Sequence, residues 1–147
     1  MANRTERYDY REAMADDIYY YLCDNGIDGS EYEDRDEALE KLNDALWVED
    51  SVTGNASGSY TMCRATARQY VADNMYLMIE SYKEFGCMEQ LASHLSNGDY
   101  EVIDVTIRCY LLGEVLASVI EELEAEAEQG RSDWGYSNEV EEVEENA

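Results

Sequence analysis

The sequence predicts an all-α protein: a compact bundle of about five helices, with a long central helix towards the C-terminus and an acidic tail. Three observations predict it. The 147 residues contain no proline, the residue most disruptive to a helix interior. Apolar residues recur at steps of three and four in segment after segment, the period of one helix face. Stop signals at Asn25-Gly26, Gly86 and Asn97-Gly98 punctuate those segments. The length suits one domain with a real core. A hydrophobic fraction of 45%, with 13 Tyr, 2 Trp and 6 Met, supplies the bulk and argues against wholesale disorder.

The first helix is expected over about residues 5–24, on the stripe Tyr10, Met14, Ile18 and Tyr21/Leu22. An acidic loop follows to about Tyr32. The second helix runs over about 33–48, with Ala38, Leu39, Leu42, Ala45 and Leu46 on its apolar face. Its acids Glu33, Glu37, Glu40 and Asp44 fall in a narrow arc opposite that stripe. For a single helix such a row is ordinarily just a solvated face. Residues 49–61 read as a loop rich in Gly, Ser and Thr.

The third helix starts near Thr61 or Met62 and carries Ala67, Val71, Met75, Met78, Tyr82 and Phe85 as one continuous stripe ending at Gly86. A short fourth helix spans about 87–96. The fifth, about 99–128, has Asp99 at its N-cap position. It steps through Val105, Cys109, Leu112, Leu116, Val119 and Leu123, and Val102, Ile103, Ile107, Tyr110 and Leu111 add a second apolar face. A helix apolar on most sides is a central one. The β-branched run from Val102 to Ile107 is also compatible with a strand. The expected division is an acidic helical domain, 1–129, and a flexible acidic tail, 130–147.

Charge is the second large signal. Thirty-five Asp and Glu stand against ten Lys and Arg, a net of −25. It is uneven: residues 28–50 hold ten acids and two bases, and residues 121–147 hold eleven acids and one Arg. The stretch 51–120 holds only eight acids and four bases. Concentrated negative charge steers positively charged partners and disfavours direct contact with nucleic acid or anionic membranes. No stretch approaches membrane-spanning length, and Met1 to Arg7 lacks the apolar run of a secretory signal. The expected location is the cytoplasm of the bacterial host cell.

Chemistry-bearing constellations are sparse. Cys23, Cys63, Cys87 and Cys109 have no C-x-x-C spacing, so no zinc site is expected and they read as small buried hydrophobes. The single histidine, His94, lacks a neighbouring nucleophile. Asp24-Asn25-Gly26-Ile27-Asp28-Gly29 opens like a calcium loop, but Arg35 stands where the bidentate Glu is required. Thr53 to Ser59 lacks the Lys-Ser/Thr ending of a phosphate loop. No catalytic residue, metal or cofactor is expected. Asp104 and Arg108, four apart on a largely buried helix, are spaced for an ion pair, and the Thr53–Thr61 loop is placed to pack on that helix and offer carbonyls.

Val52-Thr53-Gly54-Asn55-Ala56-Ser57-Gly58-Ser59-Tyr60-Thr61 and Asp104-Val105-Thr106-Ile107-Arg108-Cys109-Tyr110-Leu111-Leu112 resemble blocks in small acidic proteins carried by phages and conjugative elements of Gram-positive gut bacteria. The resemblance implies a mobile-element origin and a small helical domain, and brings no catalytic residues with it. In overall character the chain is similar to anti-CRISPR and anti-restriction proteins that mimic DNA.

The resulting expectation is an anti-defence inhibitor acting as a nucleic-acid mimic on a basic protein such as a Cas effector or a restriction enzyme. Carboxylates one helical turn apart lie roughly 5–6 Å from each other, comparable to successive phosphates. The candidate face comprises Glu33, Asp34, Glu37, Glu40, Asp44, Glu49, Asp50, Glu121, Glu124 and Glu128, with Tyr32, Trp47, Trp134 and Tyr136 as aromatic anchors. The alternatives are a non-catalytic adaptor or regulator from a mobile element, or an acidic surface adapted to salt. The heptad-like stripe from Val105 to Leu123 suits a monomer core or a homodimer seam.

Overall fold

The computed structural model describes residues 7–55 and 64–137. Among them the protein is all-α: α1 Tyr10–Asp24, α2 Arg35–Trp47, α3 Arg64–Asp73, α4 Met75–Glu84, α5 Met88–Asn97 and α6 Tyr100–Glu128. None of these helices is long and apolar enough to cross a membrane.

Every other helix packs on α6, which explains its two apolar faces. Ile103, Ile107, Leu111, Leu112, Val115, Leu116, Val119, Ile120 and Leu123 are all buried. The stripe from Val105 to Leu123 is thus largely consumed inside one chain. Around it lie Tyr10, Met14, Ile18 and Leu22 of α1 and Ala38, Leu42 and Leu46 of α2. Leu112 is fully enclosed, so Leu112→Ala is expected to cost about 2–5 kcal/mol, read as a lower urea midpoint with an unchanged m-value.

The stretch from Val102 to Ile107 is part of the expected long helix and not the alternative strand, and the Thr106 hydroxyl donates to the Val102 carbonyl at 2.8 Å. Several other expectations need correction. Ala45 is exposed, at little cost for so small an apolar group. The expected third helix is two. Asn74 interrupts it, its side chain donating to the carbonyls of Tyr8 at 2.9 Å and Tyr70 at 3.0 Å. The break shifts the buried register to Leu77, Met78, Ser81 and Tyr82 and turns Met75 out to 56% exposure. Cys23 is exposed and Cys87 half-buried; only Cys109 behaves as a core residue, its thiol pushed up to about 12 by burial. Cys63 lies outside the described residues.

Residues 130–137, expected within a flexible tail, form a strap over the α1–α2 connection. The Gly135 N–H donates to the Asp28 carbonyl at 2.9 Å and the Ser137 N–H to the Tyr32 carbonyl at 3.0 Å. Trp134 is buried. The rest of the expected tail, 138–147, lies outside the described residues.

Gly29 makes the strap possible. Its φ is +86°, and a Cβ there would meet the Gly135 carbonyl at 2.7 Å and the indole of Trp134 at 2.8 Å. Gly29→Ala is expected to lift the strap and expose Trp134. In a Trp47→Phe background, which leaves Trp134 as the only tryptophan, the emission should shift to the red. An unshifted spectrum would contradict this seating.

Candidate functional site

The acidic face begins at the entry to α2. Asp34 is the N-cap, its Oδ1 accepting from the Glu37 N–H at 2.9 Å. Glu37 reaches back to accept from the Glu33 N–H at 2.6 Å. These two bonds, one from the N-cap side chain to the first turn and one from the first turn back to the residue before the cap, are why the helix starts here, and they commit Asp34 and Glu37 to the helix terminus. The row most free to face a partner is Asp36, Glu40 and Asp44, all exposed and four residues apart, with Glu33 just ahead of the helix. Asp36 was missed by the sequence pattern, which followed the neighbouring phase through Glu37.

The α6 part of the second acidic block is tied to α2. Arg35, at the start of α2, pairs with Glu124 near the end of α6, its Nε donating to Oε2 at 3.1 Å. The Tyr136 hydroxyl of the strap donates to the same Oε2 at 2.6 Å. Burial opposes ionisation of Glu124, but the hydrogen bonds from Arg35 and Tyr136 prevail and hold its carboxyl below the ordinary carboxylate value. The stability it contributes is therefore present above that ordinary value and lost as pH falls. Glu124 is a fastener between α2, α6 and the strap, not an open partner contact.

Farther along, Leu39, Glu40 and Asn43 of α2 share a groove with Gly113 and Leu116 of α6. On the other flank of α6, Glu122 and Glu126 border a cleft with Asp16, Tyr19 and Tyr20 of α1. Between the flanks stand the exposed Glu121 and Glu128. The acidic face thus crosses α2, α6 and α1. Two of the basic side chains along it are engaged internally, Arg35 with Glu124 and Arg11 with Glu114 at 2.5 Å.

The expected aromatic anchors are mostly enclosed. Tyr32 and Trp134 belong to the core: the strap bonds to the Tyr32 carbonyl through Ser137 and carries the Trp134 indole in against Gly29. Trp47 is half-buried, edge-on to Phe85, and Tyr136 is half-buried and bonded to Glu124. The exposed ring bordering this acidic surface is Tyr20, 65% exposed. Its place in the α1 pattern gave no signal beyond pointing away from the core stripe.

Glu49 and Asp50 lie beyond α2 in the turn that leads into Val52 and Thr53. The Glu49 carboxylate accepts from the Ser51 hydroxyl at 2.9 Å. Thr53 is buried, its hydroxyl 2.9 Å from the Trp47 carbonyl, so it closes the end of α2. Asp50 lines a cavity of about 180 Å³ between this turn, α1, α3 and α6.

At the cavity floor, Asp104 and Arg108 form the expected ion pair, Nε to Oδ2 at 2.9 Å, both side chains almost fully enclosed. Among the described residues the further partners of Arg108 are tyrosines, not the loop carbonyls expected. Its Nη2 donates to the Tyr8 hydroxyl at 2.8 Å, and the guanidinium carbon lies 5.0 Å from the Tyr10 ring centroid. The Tyr10 hydroxyl donates to Asp104 Oδ1 at 2.6 Å. The loop does reach α6 at Gly54, where a Cβ would lie 3.5 Å from Val105; residues 56–61 lie outside the described residues. His94 bonds through Nδ1 to the Tyr82 hydroxyl at 2.8 Å.

Protein-family models, curated proteins and solved structures were all compared with the chain, and none matches it.

Proposed function

We propose that this protein is a non-catalytic, anti-defence inhibitor that occupies the basic nucleic-acid-binding surface of a nuclease effector, in the manner of a nucleic-acid mimic. One observation carries the reading: the Arg35–Glu124 bridge ties the acidic end of α6 to the acidic start of α2, two segments far apart in sequence. Asp36, Glu40 and Asp44 on α2 then present carboxylates roughly 6 Å apart along the helix, a step of four residues, and Glu121 and Glu128 on α6 add two more about 10 Å apart, a step of two turns. A surface built this way suits a row of Arg and Lys that ordinarily grips a phosphate backbone. Tyr20 supplies an aromatic contact beside it. The resemblance of the two sequence blocks to proteins of mobile elements agrees with such a role. The effector would be a Cas protein or a restriction enzyme, inhibited sterically and without turnover.

The test is competition. Purified protein is titrated into a panel of Cas effectors and restriction enzymes holding labelled DNA or guide RNA. The expected result is displacement of nucleic acid from at least one effector at low salt, fading steeply as salt rises. Tight binding that leaves nucleic-acid occupancy unchanged would favour a second reading, an adaptor for a basic protein surface. That reading has its own support in the exposed Met75, Tyr76 and Ile79 of α4, which a mimic does not require. A chain that binds no partner and is only stabilised by molar salt would point to salt adaptation.

A further inference from the structure

We infer that the outward face of α4 docks a second copy of this chain, in an isologous pair about a twofold axis near Ile79. α4 is apolar on two sides. One side, formed by Leu77, Met78, Ser81 and Tyr82, is buried in the bundle. On the other, Met75, Tyr76 and Ile79 stand 56%, 73% and 44% exposed. At about 100° per residue these three and Lys83 fall within an arc of about 100°, turned away from the buried side. Single apolar residues on a surface are ordinary, but several gathered on one helix face mark an interaction site. The surface continues over α6. The Tyr110 hydroxyl donates to Glu80 at 3.3 Å, and the exposed Phe85 meets the Tyr110 ring edge-on at 6.4 Å.

Area and charge select the occupant. Met75, Tyr76, Ile79 and Phe85 together leave roughly 500 Å² of side-chain surface open, taking about 150–250 Å² for a whole aromatic side chain. With the flanking Glu80 and Lys83 this approaches the about 600 Å² per partner of the smaller specific interfaces. Charge then decides between a copy and a basic protein. Lys and Arg of a basic partner are drawn to places where carboxylates dominate, as on α2 and the last turns of α6, whereas α4 sets Lys83 against Glu80 and Glu84. Two chains of net −25 repel one another, so they meet most readily where negative charge is sparse. The stretch 51–120, to which α4 belongs, holds eight acids and four bases. Glu121 lies eleven residues beyond Tyr110, roughly 16 Å along the axis of α6. The spacing on α4 is also self-complementary. In an antiparallel pair centred on Ile79, Lys83 falls opposite Met75 of the second copy and next to its Tyr76. The lysine stem then covers apolar surface and its ammonium reaches the tyrosine ring.

The pairing does not rest on the acidic face acting as a mimic, and it has the opposite dependence on salt. The test is sedimentation velocity of the intact protein across the micromolar range, at low and at high sodium chloride. The expected result is a reversible equilibrium between monomer and dimer, with no larger species, that tightens as salt screens the repulsion between the two chains. Displacement of nucleic acid fades over the same range of salt. The double variant Tyr76→Ser, Ile79→Ser should weaken dimerisation at least about tenfold with the helical circular dichroism unchanged, since both side chains are exposed. Ile79→Glu, which sets two carboxylates against each other at the axis, serves as the second variant if the double variant does not fold.

A parent that stays monomeric at high salt would overturn the pairing and leave the face to a different protein, as an adaptor would use it. A dimer that loosens as salt rises, growth into larger oligomers, or a dimer undiminished in the folded variant would overturn it as well. The triple variant Asp36→Asn, Glu40→Gln, Asp44→Asn should keep the dimer while losing nucleic-acid displacement, so the two readings fail separately.

Discussion

Replacing Arg108 with methionine is expected to lower the unfolding free energy by about 3–5 kcal/mol, because it strands a buried carboxylate. Asp104 is 4% exposed. Its Oδ2 would lose the donor at 2.9 Å and keep no cation beside it, while Oδ1 would retain only the Tyr10 hydroxyl. The Tyr8 hydroxyl would lose the Arg108 donor as well. Removing both charges, Asp104→Leu with Arg108→Met, should recover most of the loss, since two well-packed apolar side chains avoid the desolvation that the pair has to offset. Urea unfolding of the single and double variants measures the coupling directly. A single variant as stable as the parent would mean that the pair is more hydrated than its burial implies.

The same cluster sets an alkaline limit. Burial, and then the negative charge of Asp104, push the Tyr10 hydroxyl far above its ordinary value, and burial raises Tyr8 as well. The unfolded chain therefore releases these protons first. The associated stability is fully present below about pH 10, the ordinary tyrosine value, and is lost as pH rises beyond it. A melting temperature that falls above that pH in the parent, and less steeply in Tyr10→Phe, is the expected signature.

Neutralising the exposed acidic rows should abolish partner capture without harming the fold. Asp36→Asn, Glu40→Gln and Asp44→Asn on α2, joined by Glu121→Gln and Glu128→Gln on α6, remove five charges from exposed positions. None of these residues caps α2 or fastens α6 to it. Loss of complementary contacts should weaken nucleic-acid displacement by roughly a hundredfold or more, on the order of 3 kcal/mol. Stability should hold or rise slightly, because like charges four apart on a helix repel by a few tenths of a kcal/mol per pair. Glu124→Gln is the contrasting variant. It loosens the contact among α2, α6 and the strap, so its effect should appear in thermal stability as well as in displacement. Unchanged displacement by the five-site variant would remove the acidic face from the mechanism.

Much of the fold is legible locally. The α1 stripe of Tyr10, Met14, Ile18 and Leu22 is the buried stripe observed, and the two-sided apolar character of α6 marks it as the central helix. The Asp104–Arg108 pair follows from spacing alone. The break at Asn74 does not, because the apolar period runs through it unbroken. What stops the helix is a side-chain bond to the Tyr8 carbonyl, 66 residues away in sequence. The strap was hidden for a related reason. Gly, Ser and Asn around Trp134 look like open chain until Gly29 provides the space that the indole fills.

For the site, composition announced the acidic blocks, but not which carboxylates are available. Asp34, Glu37 and Glu124 carry the same charge as Asp36, Glu40 and Glu121, yet they are occupied by capping and by Arg35. Periodicity and charge are properties of neighbouring residues, so the amino-acid sequence by itself determined the helical class, the core stripes and the excess of negative charge. Which acidic groups remain open, where Trp134 rests and how Asp50 comes to line a cavity depend on contacts between distant segments. Those contacts exist only once burial of the apolar stripes has brought the helices together, and so the tertiary structure alone decided them.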